Sequence, residues 1–138
     1  MKKILILNGV NLGLLGTREV DVYGHQSFDS YFNELQKAFP QFELQYYQTD
    51  QMEELVQKIT KSNILDGIIL NPGAFTHTSV VLADAIKAVK TPVIEVHISN
   101  LFGREQYRKN SMISGACIGS ISGFGLKSYK MALNFFND

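Results

Sequence analysis

Residues 2–9, KKILILNG, contain the apolar stretch that decides the fold. The run at 4–7 is apolar without interruption, as in a strand that is buried on both faces of a parallel sheet. It stops at a polar asparagine and a glycine. Four later segments are also predicted strands: 42–48, 67–70, 92–97 and 116–121.

Helical spacing fills the intervals between these strands. The first helical pattern places apolar side chains at i, i+3, i+4 and i+7, namely Phe28, Tyr31, Phe32 and Leu35, after Ser27 as the expected N-cap. Further helices are predicted at 52–59, 77–89 and 126–136. Strands that alternate with helices predict one α/β domain over 1–138. We expect a flavodoxin-like three-layer fold with a five-stranded parallel sheet of order 2-1-3-4-5.

The composition limits the kinds of partner. The chain has 138 residues, 45% of them hydrophobic, and equal numbers of basic and acidic residues, 13 of each. Because nucleic acid and anionic membranes need a basic patch, this balance argues against both as partners. The single cysteine forms no internal disulfide, and the amino-terminal apolar run is too short for a secretion signal. We expect a cytoplasmic protein.

Polar loops follow three of the predicted strands. Residues 10–27 follow the first strand, 71–77 the third and 97–100 the fourth. In open parallel sheets ligands bind beyond the carboxyl ends of the strands, so we expect these loops to form one site. The loop at 10–27 is far longer than the usual strand-to-helix connection of about two to six residues. It contains neither of the common phosphate-binding glycine motifs, which argues against a standard nucleotide site.

The long loop places Arg18 five residues before Tyr23. An ordinary tyrosine has a pKa of about 10 and is a poor base near neutral pH, but a fixed guanidinium favours the ionised tyrosinate. Such a tyrosine could remove a weakly acidic proton. The alternative is that Tyr23 packs its ring as a loop anchor while Arg18 is solvated. Spacing alone does not separate the two interpretations.

The fourth predicted strand ends at His97, and Glu95 lies two residues earlier on the same side of the strand. A neighbouring carboxylate can fix the tautomer of an imidazole and favour its charged form, as a general acid requires. Two alternatives stay open at this point. His97 could be a hydrogen-bonded structural histidine, or Glu95, His97 and His77 could be metal ligands.

The predicted helix at 77–89, with Thr76 as its N-cap, carries one carboxylate away from its apolar stripe. On an ideal helix Asp84 lies about 130° from the centre of that stripe. It also lies roughly 10 Å beyond His77 along the helix axis. A side chain there would reach the site of a neighbouring subunit more easily than its own, although an ordinary solvated carboxylate fits equally well.

Further polar groups follow the strands that end at this edge of the sheet. Asn71 supplies an amide, Ser99 a hydroxyl, and Arg104 and Arg108 supply guanidinium groups. Together they suit a small ligand that carries a carboxylate or hydroxyls. Either arginine could instead be an ordinary surface charge.

Several ordered motifs give the chain a specific resemblance. They are LNG at 7–9, LGTRE at 15–19, NPGAFTHTS at 71–79, PVIEVHISN at 92–100 and the arginines and glutamate at 104, 105 and 108. With these motifs the chain resembles the type II 3-dehydroquinate dehydratases over nearly its whole length. The resemblance implies a flavodoxin-like lyase that converts 3-dehydroquinate to 3-dehydroshikimate in the shikimate pathway of aromatic amino acid biosynthesis. It implies no metal, no cofactor and no Schiff base.

The resemblance also implies a role for each matching position. Tyr23, beside Arg18, would remove a proton next to the ketone, and Asn11 would stabilise the resulting enolate through an ordered water. His97 would protonate the departing hydroxyl, with Glu95 behind it. The remaining positions would bind substrate: Asn71, His77 and Arg108 at its hydroxyls, Ile98 and Ser99 at its carboxylate, and Asp84 from a neighbouring subunit.

A homo-oligomer, in which trimers assemble into a dodecamer, is implied as well. The loop at 10–27 would then be a lid that carries the base, and its closure would exclude water from the enolate. Val20, Phe102 and Asn110 depart from the commoner residues of the family. These departures bear on the lid and on affinity rather than on the reaction.

Two other classes of protein compete with this interpretation. A metal-dependent hydrolase would use His77, Glu95 and His97 and would lose activity to a chelator. A flavodoxin-like electron carrier would bind flavin, and a receiver module would accept phosphate on an aspartate. However, Asn8 and Gly9 stand where a receiver needs acidic residues.

Overall fold

The structure is a computed structural model that describes residues 1–17, 21 and 25–137. Five strands lie within them: β1 Lys2–Asn8, β2 Phe42–Gln48, β3 Gly67–Asn71, β4 Val93–His97 and β5 Gly119–Ser122. They form one sheet in the order β2-β1-β3-β4-β5, which confirms the predicted order. Every pairing is parallel, so all five strands end at the same edge.

Helices cover both faces of the sheet, as predicted. In the described part of the chain they are α1 Phe28–Ala38, α2 Met52–Thr60, α3 Val80–Lys87 and α4 Lys127–Phe135. Alternate residues of β1 point to opposite faces. Ile4 and Ile6 pack against α1 and α4, while Leu5 and Leu7 pack against α2 and α3. None of these helices is long and apolar enough to cross a membrane.

Two hydroxyl side chains mark where helices begin, and one predicted start is wrong. Ser27 caps α1 as predicted, because its side chain accepts a hydrogen bond from a backbone N–H of the first turn. Helix α3 begins three residues later than predicted, and its N-cap is Ser79 rather than Thr76. The hydroxyl of Ser79 accepts a hydrogen bond from the backbone N–H of Leu82 at 2.9 Å.

Tertiary contacts explain the later start of α3. The segment Gly73–His77 is a 3-10 helix. The backbone N–H of Met112 donates to the carbonyl of Thr76 at 2.8 Å, and the carbonyl of Asn110 lies 2.7 Å from Nδ1 of His77. These bonds hold the segment outside the α-helix, so the predicted alignment of His77 and Asp84 on one helix is wrong.

The last strand is also displaced from its predicted position at 116–121. Strand β5 pairs with β4 only from Gly119, opposite Ile94, to Ser122, opposite His97. The segment Ser114–Ala116 is a short 3-10 helix instead. Apolar side chains at 116 and 117 pack against the core from outside the strand, which accounts for the early prediction.

Two glycines bring the loops after β1 and β3 into close contact. The backbone N–H of Gly9 donates to the carbonyl of Asn71 at 2.7 Å, and a Cβ at Gly9 would lie 2.4 Å from the carbonyl oxygen of Pro72. Gly73 has a φ of 65°, and a Cβ there would lie 2.6 Å from the carbonyl oxygen of Val10. A side chain at either glycine would push the loops apart.

Candidate active site

A pocket opens at the edge of the sheet where the strands end. The loops after β1, β3 and β4 line it, as predicted, together with the segment that continues from β4. The lining residues are Val10, Asn11, Leu12, Leu15, Asn71, Gly73, Ala74, His77, His97, Ile98, Ser99, Leu101, Arg104 and Arg108. Seven predicted site residues are therefore brought together: Asn11, Asn71, His77, His97, Ile98, Ser99 and Arg108. Arg18 and Tyr23 lie outside the described residues.

A buried carboxylate and a histidine stand at the end of β4. Nε2 of His97 lies 2.6 Å from Oε2 of Glu95, and the Glu95 side chain is fully buried. The hydroxyl of Ser111 donates to Oε2 at 2.9 Å, and the hydroxyl of Ser114 donates to Oε1. Burial raises the pKa of Glu95, but the bonds from His97, Ser114 and Ser111 and the charge of His97 together lower that pKa below its usual value. The carboxylate is therefore held ionised.

The ionised carboxylate fixes the tautomer of His97. A carboxylate without a proton can only accept, so Nε2 of His97 carries hydrogen. Nδ1 is then the ring nitrogen left to exchange a proton with a bound ligand. A histidine whose ring is oriented by a buried carboxylate at the wall of a pocket is suited to general acid–base catalysis.

His77 faces His97 across the pocket. Their ring centroids are 6.4 Å apart, with 24° between the ring planes. The backbone carbonyl of Asn110 accepts a hydrogen bond from Nδ1 of His77 at 2.7 Å, which leaves Nε2 as an acceptor. That Nε2 is buried and has no hydrogen-bond partner among the described residues. A hydroxyl of a ligand would satisfy it.

The metal-ligand alternative needs a different arrangement of these side chains. Glu95 accepts hydrogen bonds from His97 and two serines, and the carbonyl of Asn110 occupies Nδ1 of His77. Among residues 1–17, 21 and 25–137, no group of three or more histidine, cysteine, aspartate or glutamate side chains could hold a metal ion.

Cationic groups lie on the side of the pocket that follows β4. Nη1 of Arg104 donates to the hydroxyl of Ser99 at 3.2 Å, and Nε of Arg108 donates to Oε2 of Glu105 at 2.6 Å. Glu105 also lies 4.0 Å from Nε of Arg104. This side of the pocket can therefore neutralise a ligand carboxylate and donate to hydroxyls.

Asn11 contributes an amide from the opposite side. Its φ of 66° is left-handed, a conformation that asparagine tolerates better than most residues. The backbone N–H of Asn11 donates to Oδ1 of Asp50 at 2.9 Å, and Asp50 also accepts a bond from Gln48. The turn is thus fixed from the end of β2, and Asn11 is among the residues that line the pocket.

Asp84 lies apart from these groups. It is exposed on α3 and is not among the residues that line the pocket. Two exposed apolar side chains, Val80 at 55% and Val81 at 62%, lie on the same helix. The exposure agrees with the predicted position of Asp84 away from the apolar stripe, whereas its reach into a second subunit stays a prediction.

Three residues that support the site were not found from the sequence. Ser111 and Ser114 hydrogen-bond to Glu95, and the hydroxyl of Tyr129 accepts a hydrogen bond from Nδ2 of Asn71 at 2.9 Å. The serines belong to an irregular segment without periodicity, and Tyr129 has the apolar spacing of an ordinary helix core. No local pattern marks any of them.

Comparisons with known proteins agree with this geometry. Residues 2–137 match the model of the family described as dehydroquinase class II. The 3-dehydroquinate dehydratase of Caldicellulosiruptor saccharolyticus is 49% identical over 137 residues, which are 96% of this chain and 94% of that protein. The 3-dehydroquinate dehydratase of Desulfitobacterium hafniense is 48% identical over 137 residues, with 98% of this chain and 94% of that protein covered.

Solved structures give the same result. The crystal structure of type II dehydroquinase from Butyrivibrio crossotus has a TM-score of 0.95 and 39% identity, with 99% of this chain and 98% of that chain covered. The type II dehydroquinase from Propionibacterium acnes has a TM-score of 0.94 and 36% identity, with 99% and 96% covered. On its sequence, fold and pocket, the chain belongs to the class II dehydroquinase family.

Proposed function

We propose that this chain dehydrates 3-dehydroquinate to 3-dehydroshikimate in the cytoplasm, as a step of the shikimate pathway. The observation that carries the proposal is the Glu95–His97 pair, which presents a histidine of fixed tautomer to a pocket with a free acceptor on His77. Family membership supplies the substrate, since the relatives are named for this activity.

The first proposed step removes a proton from the carbon next to the ketone. Tyr23 is the base, and Arg18 stabilises it as tyrosinate. The electron pair of the broken C–H bond moves into the ketone and forms an enolate. Asn11 stabilises the enolate oxygen through an ordered water, which is consistent with its place among the residues that line the pocket. No metal, cofactor or Schiff base enters the proposed reaction.

The second step expels the hydroxyl as water. The enolate re-forms the ketone as the C–O bond breaks, and His97 delivers a proton from Nδ1 to the departing oxygen. The hydrogen bond from Nε2 to Glu95 stabilises the charged imidazolium that precedes this transfer. One proton is taken up by Tyr23 and one is given by His97, so Tyr23 must release its proton and His97 must regain one before the next turnover.

The remaining lining residues are proposed to bind the substrate. Nε2 of His77 accepts from a substrate hydroxyl, and Asn71 and Arg108 contact hydroxyls from the two sides of the pocket. Ile98 and Ser99 bind the carboxylate, which the Arg104 guanidinium beside Ser99 would neutralise.

A homo-oligomer completes the proposed site. Asp84 is exposed on α3, outside the pocket of its own subunit, so we propose that it reaches the site of a neighbour. Val80 and Val81, exposed on the same helix, supply apolar area for the contact between subunits. Trimers that assemble into a dodecamer are the proposed form.

The loop at 10–27 is proposed to act as a lid. Its described part, through Asn11, Leu12 and Leu15, already lines the pocket. Arg18 and Tyr23 follow in the same loop, so closing the lid over bound substrate would bring the base to the reacting carbon and exclude water from the enolate.

A spectrophotometric assay on the purified protein tests the proposed function. The conjugated enone of the product is followed with 3-dehydroquinate as substrate, and EDTA or borohydride is added in parallel. Turnover that neither reagent affects is expected. Loss of this activity to EDTA would mean that the dehydration depends on a metal ion, and loss to borohydride only with substrate present would mean a lysine Schiff base. A folded oligomer without turnover would overturn the proposed reaction.

Two alanine variants test the role of the assigned acid. His97→Ala removes the proposed proton donor, and we expect kcat to fall by about 10²- to 10⁴-fold. Lys37→Ala is the control, because Lys37 is exposed on α1 and does not line the pocket. Equal activity of the two variants would contradict the role given to His97.

A further inference from the structure

One tyrosine hydroxyl joins the ends of two central strands beneath the pocket. Tyr129 lies on α4 and is fully buried. Its hydroxyl is 2.8 Å from Oδ1 of Asn8 and 2.9 Å from Nδ2 of Asn71. These asparagines are the last residues of β1 and β3 and are aligned in the parallel register. Helix α4 is thus tied through one oxygen to two neighbouring strand ends.

The direction of each hydrogen bond follows from one backbone group. The N–H of Gly73 lies 3.2 Å from the Asn71 side chain and can only donate, so the Asn71 atom that it meets is Oδ1. Nδ2 of Asn71 therefore points to Tyr129 and donates to its hydroxyl. The tyrosine proton is then left for Asn8, which accepts it at Oδ1. Each group in the network therefore donates its hydrogen to the next one, from Asn71 to Tyr129 and from Tyr129 to Asn8.

This network ends at the pocket. Asn71 lines the pocket although it is only 3% exposed. An amide nitrogen carries two hydrogens, and Tyr129 takes one of those on Nδ2. The second hydrogen is left for a ligand. Without the Tyr129 hydroxyl, the amide would be held only at Oδ1, by the N–H of Gly73, and would lose its partner at Nδ2.

We propose that Tyr129 is a positioning residue of the reaction: its hydroxyl orients the Asn71 amide so that Nδ2 donates to a hydroxyl of the substrate. The proposal rests on the function proposed above. Tyr129 does not line the pocket and acts only through Asn71. It should therefore govern substrate binding rather than the chemical step.

The chain provides a matched control in Tyr31. This tyrosine lies on α1, is 4% exposed, and has its ring centroid 6.5 Å from that of Tyr129. Its hydroxyl is buried and has no hydrogen-bond partner in the described part of the chain. Tyr31→Phe therefore removes a buried hydroxyl from the same aromatic cluster without breaking the network to Asn71.

Steady-state kinetics with 3-dehydroquinate test the proposal in Tyr129→Phe and Tyr31→Phe, each alone and combined with Asn71→Ala. We expect Tyr129→Phe to raise KM about tenfold, the equivalent of one neutral hydrogen bond, and to change kcat by less than about threefold. Tyr31→Phe should leave both constants unchanged. In the Asn71→Ala background, Tyr129→Phe should have no further effect on KM, because the group through which it acts is absent. Oligomer size and the urea midpoint are measured for every variant.

The outcomes separate this proposal from the proposed function. Active wild-type enzyme with an unchanged KM in Tyr129→Phe would overturn the positioning role alone. An equal rise in KM with and without Asn71 would also overturn it, since Tyr129 would then act through the fold and not through that amide. Wild-type protein without turnover would overturn the proposed function, and the positioning role with it.

Discussion

Replacing Glu95 by glutamine should slow the reaction far more than it weakens the fold. The substitution keeps the volume of the side chain and removes one negative charge beside His97. Oε2 receives the bonds from His97 and Ser111, and Oε1 receives the bond from Ser114. The glutamine oxygen can take the place of Oε2, while its nitrogen donates to a Ser114 hydroxyl that rotates to accept.

The kinetic magnitude follows from the geometry of the pair. With 2.6 Å between nitrogen and oxygen, the centres of the two charges lie about 4 Å apart, and unit charges at that separation interact by about 4 kcal/mol at an effective dielectric of about 20. A loss of that size is about a thousandfold in rate. Because the imidazolium has already given up part of its charge at the transition state, kcat/KM in Glu95→Gln should fall by about 10²- to 10³-fold.

The loss of stability in Glu95→Gln should be smaller at low pH than at pH 7. The folded structure lowers the pKa of Glu95 below its usual value of 4.5. A carboxyl group whose pKa is lowered by folding stabilises the folded state. This stabilisation is fully present above the pKa of the unfolded state and is lost as the pH falls through the pKa of the folded state. The free energy of unfolding of the wild type should therefore exceed that of Glu95→Gln by about 1–3 kcal/mol at pH 7. This difference should become smaller below pH 4.5.

Enzyme kinetics at pH 7 and urea unfolding at pH 7, 5 and 4 measure both effects. Protein concentration is held fixed, since the unfolding of an oligomer depends on it. Glu54→Gln is the control, because Glu54 also accepts hydrogen bonds from hydroxyls, those of Tyr47 and Thr49, but contacts no histidine. A kcat/KM of Glu95→Gln within threefold of wild type would refute the assigned role. A stability difference that stays constant from pH 7 to pH 4 would refute the ionised carboxylate.

Three further predictions test the assembly and the walls of the site. Tyr23→Phe and Asp84→Ala should each lose activity. Mixing and reassembling the two variants should restore part of it, because some sites would then have both native residues; no recovery in mixed oligomers of normal size would contradict a shared site. Gly73→Ala should lower the free energy of unfolding by about 2 kcal/mol or more, measured in urea, since its φ is 65° and its Cβ would meet the carbonyl of Val10. Ser79→Ala should cost about 1 kcal/mol by loss of the α3 cap and leave kcat unchanged; an unchanged urea midpoint would contradict the cap.

The fold was predictable because its signals are local and repeated. The side chains of residues 4–7 pack alternately against the helices on the two faces of the sheet. A continuous apolar strand predicts this arrangement, because both of its faces are buried. The start of α3 was not predictable from local sequence. Thr76 was predicted as its N-cap, but tertiary bonds from Asn110 and Met112 hold the segment before Ser79 outside the helix, and Ser79 is the cap.

The position of candidate site residues was predictable where they lie at strand ends. His97, Glu95 and Asn71 follow from the rule that parallel strands end at one edge of the sheet. Their supporting partners do not, because Ser111, Ser114 and Tyr129 reach them from sequence separations of 16, 19 and 58 residues. Contacts of this kind leave no periodic signal in a single sequence.

The supporting partners nevertheless determine what the pocket can do, since they set which atoms donate and which accept. Glu95 places hydrogen on Nε2 of His97, the carbonyl of Asn110 leaves Nε2 of His77 as an acceptor, and the N–H of Gly73 turns Nδ2 of Asn71 into a donor. Two of these three settings come from backbone atoms. The side chain at 110 is therefore free to vary, whereas the positive φ and the close approach of Val10 keep a glycine at 73. At Asn110 the carbonyl, and not the side chain, makes the bond to His77, so a different side chain at 110 would keep Nε2 of His77 as an acceptor.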